Sequence, residues 1–127
     1  MSEGHVNESL EPLVGIGLKH GETVTSILAV VDTGFNGYLC LAELYIDQIY
    51  LTFDFAEQYE LANGEVITKD VFVGTIVFDG REQEIEVIVT ASQDTLIGAS
   101  LLKDYELRVN YPKCTVQIEW AGENIKS

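Results

Sequence analysis

Alternating apolar and polar residues run along most of the chain and predict β-strands. Residues 13–18 alternate in this way, and residues 23–31 are predicted to form a second strand. Within the second segment, residues 27–31 are continuously apolar, which predicts a strand end that is buried on both faces. This run leads directly into the polar sequence Asp32-Thr33-Gly34, and strand character resumes at residues 37–41.

Three pairs of strand-like segments are joined by turn sequences and predict hairpins. The first hairpin turns at Ala62-Asn63-Gly64, between residues 58–61 and 65–68. Asn-Gly is a strong hairpin signal because both residues tolerate positive φ. Two further hairpins are predicted around the turns Asp79-Gly80 and Pro112-Lys113.

Helical spacing is rare in this sequence. Residues 42–51 predict one helix and residues 99–105 a second, shorter one. Many short strands without a βαβ rhythm indicate an all-β domain, a closed barrel of short strands with one or two short helices. We expect a flexible N-terminal arm at residues 1–11, the domain itself at residues 12–120 and a C-terminal tail at residues 121–127.

Composition and charge narrow the possible functions. The chain has 127 residues, enough for one domain, and 46% of them are hydrophobic. Its formal charge of −14 repels phosphate backbones and anionic lipids, so neither nucleic acid nor a membrane is an expected partner. With only two cysteines and no apparent signal peptide, we expect a cytoplasmic protein without disulfides. We expect neither a metal site nor a cofactor.

The sequence Asp32-Thr33-Gly34 brings together groups that suit catalysis. A carboxyl group at the end of a buried strand is costly unless it is paired or neutralised. Thr33 adds a hydroxyl, and Gly34 leaves the backbone open to close approach. The alternative is a structural turn in which Asp32 accepts hydrogen bonds from its own backbone. The tripeptide alone does not decide between the two.

The order of three motifs resembles that of the retropepsin-like aspartic proteases, in particular the single-domain microbial relatives of retroviral proteases. The apolar run ending in Asp32-Thr33-Gly34 is similar to the family's catalytic strand and loop. Leu61-Ala62-Asn63-Gly64-Glu65 resembles the tip of the flap hairpin that closes over substrate. The third motif, Leu96-Ile97-Gly98 followed by residues 99–102, resembles the signature that precedes the family's short helix. The resemblance covers roughly residues 12–120.

The resemblance implies a role for each matching residue. Asp32 would be the catalytic aspartate, Thr33 would hydrogen bond across a two-fold axis, and Gly34 would contact substrate through its backbone. At the flap tip, Ala62, Asn63 and Gly64 would bind substrate. Gly98 would pack behind the catalytic loop as structural support.

The chain departs from the viral pattern at two linked positions. In the viral enzymes an acid lies two residues after the catalytic Gly and pairs with an Arg that follows the second-half Gly. Here Asn36 and Ala99 occupy these places. Losing both partners leaves no unpaired buried charge, so the fold is expected to persist. Substrate contacts near Asn36 are expected to differ. The chain also continues past the short helix as a hairpin at residues 107–120. Its dimer contacts are therefore expected to differ from those of the viral enzymes.

Aspartic protease chemistry needs two carboxylates, and the sequence contains one Asp-Thr-Gly. Asp94 is followed by Thr95 and then by Leu96 instead of Gly, and it is interpreted as a loop acid. The resemblance therefore implies a homodimeric aspartic endopeptidase in which each chain supplies Asp32 to hydrolyse a peptide or protein substrate. The alternative is a catalytically weak or inactive module of the same fold that dimerises or binds peptides. A third possibility is a folding or regulatory partner in which Asp32 is purely structural.

Overall fold

The computed structural model describes residues 1–122, and strands make up most of this part of the chain. The predicted C-terminal tail at residues 121–127 lies largely outside the described residues. The elements, in chain order, are β1 (Ser2–Val6), β2 (Pro12–His20), β3 (Thr23–Val31), β4 (Leu39–Ala42), a 3-10 helix (Glu43–Gln48), β5 (Leu51–Glu60), β6 (Val66–Phe78), β7 (Arg81–Thr90), β8 (Leu96–Ile97), α1 (Ala99–Leu102), β9 (Tyr105–Asn110) and β10 (Thr115–Trp120).

These strands form one hydrogen-bonded sheet in the order β5-β6-β7-β4-β8-β3-β2-β1-β10-β9. Most neighbours are antiparallel, but β3 pairs with β8 and β4 pairs with β7 in parallel. An additional pairing of β6 with β2 brings two distant parts of the sheet together. The predicted all-β class is confirmed, and closure of the sheet into a barrel stays a prediction.

The core lies on the inner face of the sheet, where alternate residues of neighbouring strands meet. Ile16 of β2 and Ala29 of β3 belong to this face and are almost completely buried. On the opposite face of β3, Leu28 is 55% exposed. The prediction that the end of β3 is buried on both faces is therefore wrong. A large apolar side chain faces solvent four residues before Asp32.

All three predicted hairpins are present, as β5–β6, β6–β7 and β9–β10. At the second turn both Asp79 and Gly80 have positive φ, 52° and 74°, as a two-residue turn of this type requires. In the first turn only Gly64 has positive φ, at 86°. The N–H of Gly64 donates to Leu61 O at 2.9 Å. Asn63 lacks the predicted positive φ and contributes to the turn through its side chain. Its side-chain Oδ1 accepts from Glu65 N–H at 3.0 Å.

The N-terminal segment is ordered where the sequence predicts a flexible arm. Residues 2–6 form β1, which pairs with both β2 and β10. Only Val6 of this strand is buried, so the segment lacks the apolar alternation that identifies a strand. The pairing partners lie far along the chain, and backbone hydrogen bonds to both sides order the segment.

Both predicted helices are shorter than expected. In place of a helix over residues 42–51, the chain forms a 3-10 helix from Glu43 to Gln48 and then enters β5 at Leu51. This helix buries no residue and has no side-chain cap, so nothing stabilises an α-helix of full length. The second helix ends at Leu102, because Tyr105 already belongs to β9.

None of the helices among residues 1–122 combines the length and apolar character needed to cross a membrane.

Phe78 offers a direct test of the described core. Its side chain is fully buried, and its ring meets Tyr105 edge to face with centroids 5.3 Å apart. We expect Phe78→Ala to lower the free energy of unfolding by about 3–5 kcal/mol, because truncation leaves a cavity. Urea denaturation at one fixed protein concentration measures this loss.

Phe53→Ala is the matched control, since Phe53 is 57% exposed. It should change the free energy of unfolding by no more than about 0.5 kcal/mol. Equal losses for the two variants would contradict the placement of Phe78 in the core.

Candidate active site

The candidate site is built on the loop that follows β3. Parallel pairing with β8 fixes the end of this strand, and Asp32 N–H donates to Ile97 O at 2.9 Å. One turn of chain then follows, in which Phe35 N–H donates to Asp32 O at 3.1 Å. The backbone of Asp32 is therefore held by both the sheet and its own loop.

The side chain of Asp32 is half-buried and turns back on the loop. Its Oδ1 accepts a hydrogen bond from Gly34 N–H at 3.0 Å. This is the local turn that the structural interpretation of Asp32 predicts. Within residues 1–122, however, no other hydrogen bond and no cation within 4.0 Å engages the carboxylate. One oxygen therefore remains available for chemistry, and Thr33 beside it is exposed.

Residues 98–100 attach the second motif to this loop. Ala99 N–H donates to Phe35 O at 2.7 Å, and Ser100 N–H donates to Gly37 O at 3.2 Å. The Ser100 hydroxyl donates to the backbone oxygen of Asn36. In the viral enzymes an ion pair between an acid and an Arg connects these two segments. Here these hydrogen bonds connect them. In this chain neutral contacts connect the two segments without any charge.

Gly98 is the position where the two segments approach most closely. A Cβ atom at this residue would collide with Gly37 O and would lie 2.7 Å from Phe35 O. Gly98 itself is buried, and its N–H donates to Tyr38 O at 3.1 Å. Backbone atoms cannot move aside as a flexible side chain can, so only glycine fits here.

The β5–β6 hairpin extends beyond the rest of the sheet. Its outer part, residues 55–60 paired with residues 66–71, has no third strand beside it. The tip residues Ala62, Asn63 and Gly64 are all exposed. Such a two-stranded ribbon has few buried contacts, which favours local opening over global unfolding.

A cavity of about 480 Å³ lies between the loop and this hairpin. Gly34 and Asn36 line it on the loop side, so the structure brings these two predicted site residues together. The flap-tip residues 62–64 do not line it, nor do Asp32 and Thr33. Its full lining is Gly34, Phe35, Asn36, Gly37, Tyr38, Leu39, Glu57, Tyr59, Val71, Glu86 and Ile88.

Among the lining residues that were not predicted as site residues, Glu57, Tyr59 and Glu86 carry the chemistry considered next. The Tyr59 hydroxyl donates to Glu57 Oε2 at 2.9 Å. This hydrogen bond raises the pKa of Tyr59, and burial and the negative charges of Glu57 and Glu86 act in the same direction. In the alternating apolar and polar pattern of β7, Glu86 has the position of a solvated strand residue. Strand alternation predicts the face of the sheet on which a residue lies. It does not predict which other part of the chain lies beside that face.

Two other titratable residues near the loop have structural explanations. Asp94 is exposed in the segment before β8, where its N–H donates to Ser92 Oγ. Cys40 is buried in β4, and burial raises the pKa of its thiol although the charge of Lys69 partly opposes the shift. The thiol therefore stays protonated near neutral pH and is a poor nucleophile.

A scan against protein-family models and a search of curated proteins found no match to this chain. Solved structures do match. A retropepsin-like aspartic protease from Rickettsia conorii is similar with a TM-score of 0.64 and 19% identity, covering 93% of this chain and 89% of that one. The protease of Simian Foamy Virus (mac) is similar with a TM-score of 0.55 and 20% identity, covering 72% of this chain and 91% of the viral one. The chain therefore has a retropepsin-like fold.

The contact at Gly98 generates a stability prediction. We expect Gly98→Ala to lower the free energy of unfolding by about 3 kcal/mol, since its methyl group must displace the backbone of the loop. Gly15→Ala is the control, because a Cβ atom there would meet nothing closer than Ser26 Oγ at 3.8 Å. Urea denaturation compares the two variants. A Gly98→Ala protein as stable as Gly15→Ala would show that the loop is not held against residue 98.

Proposed function

We propose that the protein is a homodimeric aspartic endopeptidase whose two copies of Asp32 form the catalytic dyad. The observation that carries this proposal is the state of the Asp32 carboxylate. It lies at the end of a core strand, makes no ion pair within residues 1–122 and stands in a loop that borders a cavity. Within residues 1–122 its one hydrogen bond, from Gly34 N–H to Oδ1, leaves the second oxygen free to act as a base. The retropepsin-like fold and the aspartic protease neighbours support the same conclusion.

A second chain is needed because this chain offers one suitable aspartate. Asp94, the alternative, is an exposed loop acid. A two-fold axis beside the loop would bring two copies of Asp32 together and would let each Thr33 hydroxyl bond across it. Leu28, exposed on the same strand, is an apolar side chain that such an interface would cover.

The proposed reaction is hydrolysis of a peptide bond by water. Two carboxylates at close range retain one proton between them. The ionised carboxylate takes a proton from water as the water oxygen attacks the peptide carbonyl carbon. The other carboxyl group gives its proton to the carbonyl oxygen, so that a tetrahedral diol forms. The C–N bond then breaks as the leaving nitrogen takes a proton from the protonated carboxyl group and one diol hydroxyl returns its proton to the ionised one. The dyad ends the cycle with one proton, as it began.

The remaining predicted residues would hold the substrate. An extended peptide would pair through its backbone with Gly34 and the flap, in the manner of an added β-strand. Closure of the tip residues Ala62, Asn63 and Gly64 would exclude bulk water, other than the attacking molecule, during the reaction. Asn36 would contribute a neutral contact at the cavity. Gly98 would support the loop from behind. We also propose a cytoplasmic location, which the cysteine usage favours.

The second candidate is a peptide-binding or dimerisation module without turnover. One observation favours it: Asn36 and Ala99 stand where the viral enzymes carry their ion pair. The hydrogen bonds of residues 98–100 to the loop weaken this argument, since they connect the two segments without charges. The intact Asp32-Thr33-Gly34 sequence also argues for catalysis.

Replacement of Asp32 tests the proposal. We expect Asp32→Asn to reduce hydrolysis of a peptide library by roughly 100–10,000-fold, because an amide can neither accept a proton from water nor share one. The variant should unfold at the same urea concentration as wild type, since the amide oxygen can still accept from Gly34 N–H. Library digestion followed by mass spectrometry measures the loss.

Asp94→Asn is the control for this experiment and should retain wild-type turnover. Binding of a statine-containing transition-state mimic separates the two candidate functions. Tight binding that Asp32→Asn abolishes would support catalysis. A wild-type protein that binds peptides but cleaves none, with binding unchanged in Asp32→Asn, would establish the binding module.

A further inference from the structure

We propose that the cavity between the catalytic loop and the hairpin is a substrate pocket that selects a lysine or arginine side chain, with Glu57 and Glu86 as the specificity-determining residues. This inference rests on the proposed endopeptidase function and names its substrate class, peptides that carry a basic residue near the scissile bond.

The position of the cavity makes it accessible to a bound peptide. Gly34 and Asn36, from the loop that carries Asp32, form one wall. Residues of β5 form another, where Glu57 and Tyr59 share one face of the strand. Its volume of about 480 Å³ falls within the range of roughly 300–1,000 Å³ that is typical of ligand pockets. A side chain of a peptide lying along the loop would enter it.

The walls suit a side chain that is apolar along its length and charged at its end. Val71 is buried, and Ile88 and Leu39 add further aliphatic surface deep in the cavity. Both glutamates are exposed, so their carboxylates lie towards solvent. Lysine and arginine bury their aliphatic stems and keep the charged group near water. An acidic side chain in the same place would meet two like charges.

The charges around the cavity are predominantly negative. Glu57 and Glu86 both line the cavity, and the Tyr59 hydroxyl, which also lines it, donates to Glu57 Oε2 at 2.9 Å. Lys69 lies directly opposite Glu57 in the register of β5 and β6. Lys69 does not line the cavity and makes no ion pair within 4.0 Å in the described part of the chain. A basic substrate side chain would supply the missing partner for the glutamates.

Cleavage of a randomised peptide library tests the inference. At one substrate position we expect lysine and arginine to be preferred over norleucine, the uncharged analogue of the lysine stem. Glu57→Gln/Glu86→Gln should reduce that preference, measured as the ratio of kcat/KM for lysine and norleucine peptides, about tenfold. Lys69→Gln should increase the preference, and high salt should weaken it because the glutamates are exposed.

Glu22→Gln/Glu84→Gln is the matched control. It removes the same charge from two exposed residues that do not line the cavity. Its preference should equal that of wild type. If wild type cleaves without a basic preference, or if Glu57→Gln/Glu86→Gln keeps that preference, the pocket assignment is overturned and the endopeptidase function stands.

If wild type cleaves no peptide, the endopeptidase function itself is overturned. A binding measurement then tests the pocket assignment separately. Fluorescently labelled peptides that differ only by lysine or norleucine are titrated with Asp32→Asn protein. Tighter binding of the lysine peptide, lost when Glu57→Gln/Glu86→Gln is added, supports the pocket. Equal binding of both peptides overturns it.

Discussion

The close approach of two backbone segments, residues 35–37 and residues 98–100, determines the geometry of the candidate site. Ala99 N–H and Ser100 N–H both donate to the loop that follows Asp32. Gly98 allows this approach because any Cβ atom would occupy the space of the loop backbone. This contact holds residues 35–37, which form part of the wall of the cavity and follow Asp32 directly in the same loop. Since the contact is neutral, it should persist over a wide pH range.

The distribution of charge gives this site a distinct character. The chain carries a formal charge of −14, yet the contacts between residues 35–37 and residues 98–100 use no charged side chain. Acidic residues instead lie on strand faces, where most are solvated. Glu57 and Glu86 differ from most others because they line the cavity beside the loop that follows Asp32. The same residue type therefore maintains solubility at one position and is proposed to select substrate at another.

Local signals in the sequence predicted the parts of the fold that depend on local chemistry. The Asp79-Gly80 turn and the polar break at Asp32 need particular residues at particular places, and both are where the pattern indicated. Parts that depend on distant partners were missed. β1 forms only because β2 and β10 pair with it, and the exposure of Leu28 follows from what lies over its face. Glu86 in isolation looks like any other exposed strand residue.

The central claim is that two chains share one site, and mixing of subunits tests it most directly. Wild-type protein is combined with Asp32→Asn protein above the concentration at which chains associate, and hydrolysis is measured after exchange. If each site needs both aspartates, a roughly ninefold excess of the variant should leave about one tenth of the activity of the wild-type chains, because most of them then sit in mixed dimers. Activity that stays proportional to the amount of wild-type chain, whatever the excess, would contradict the shared site.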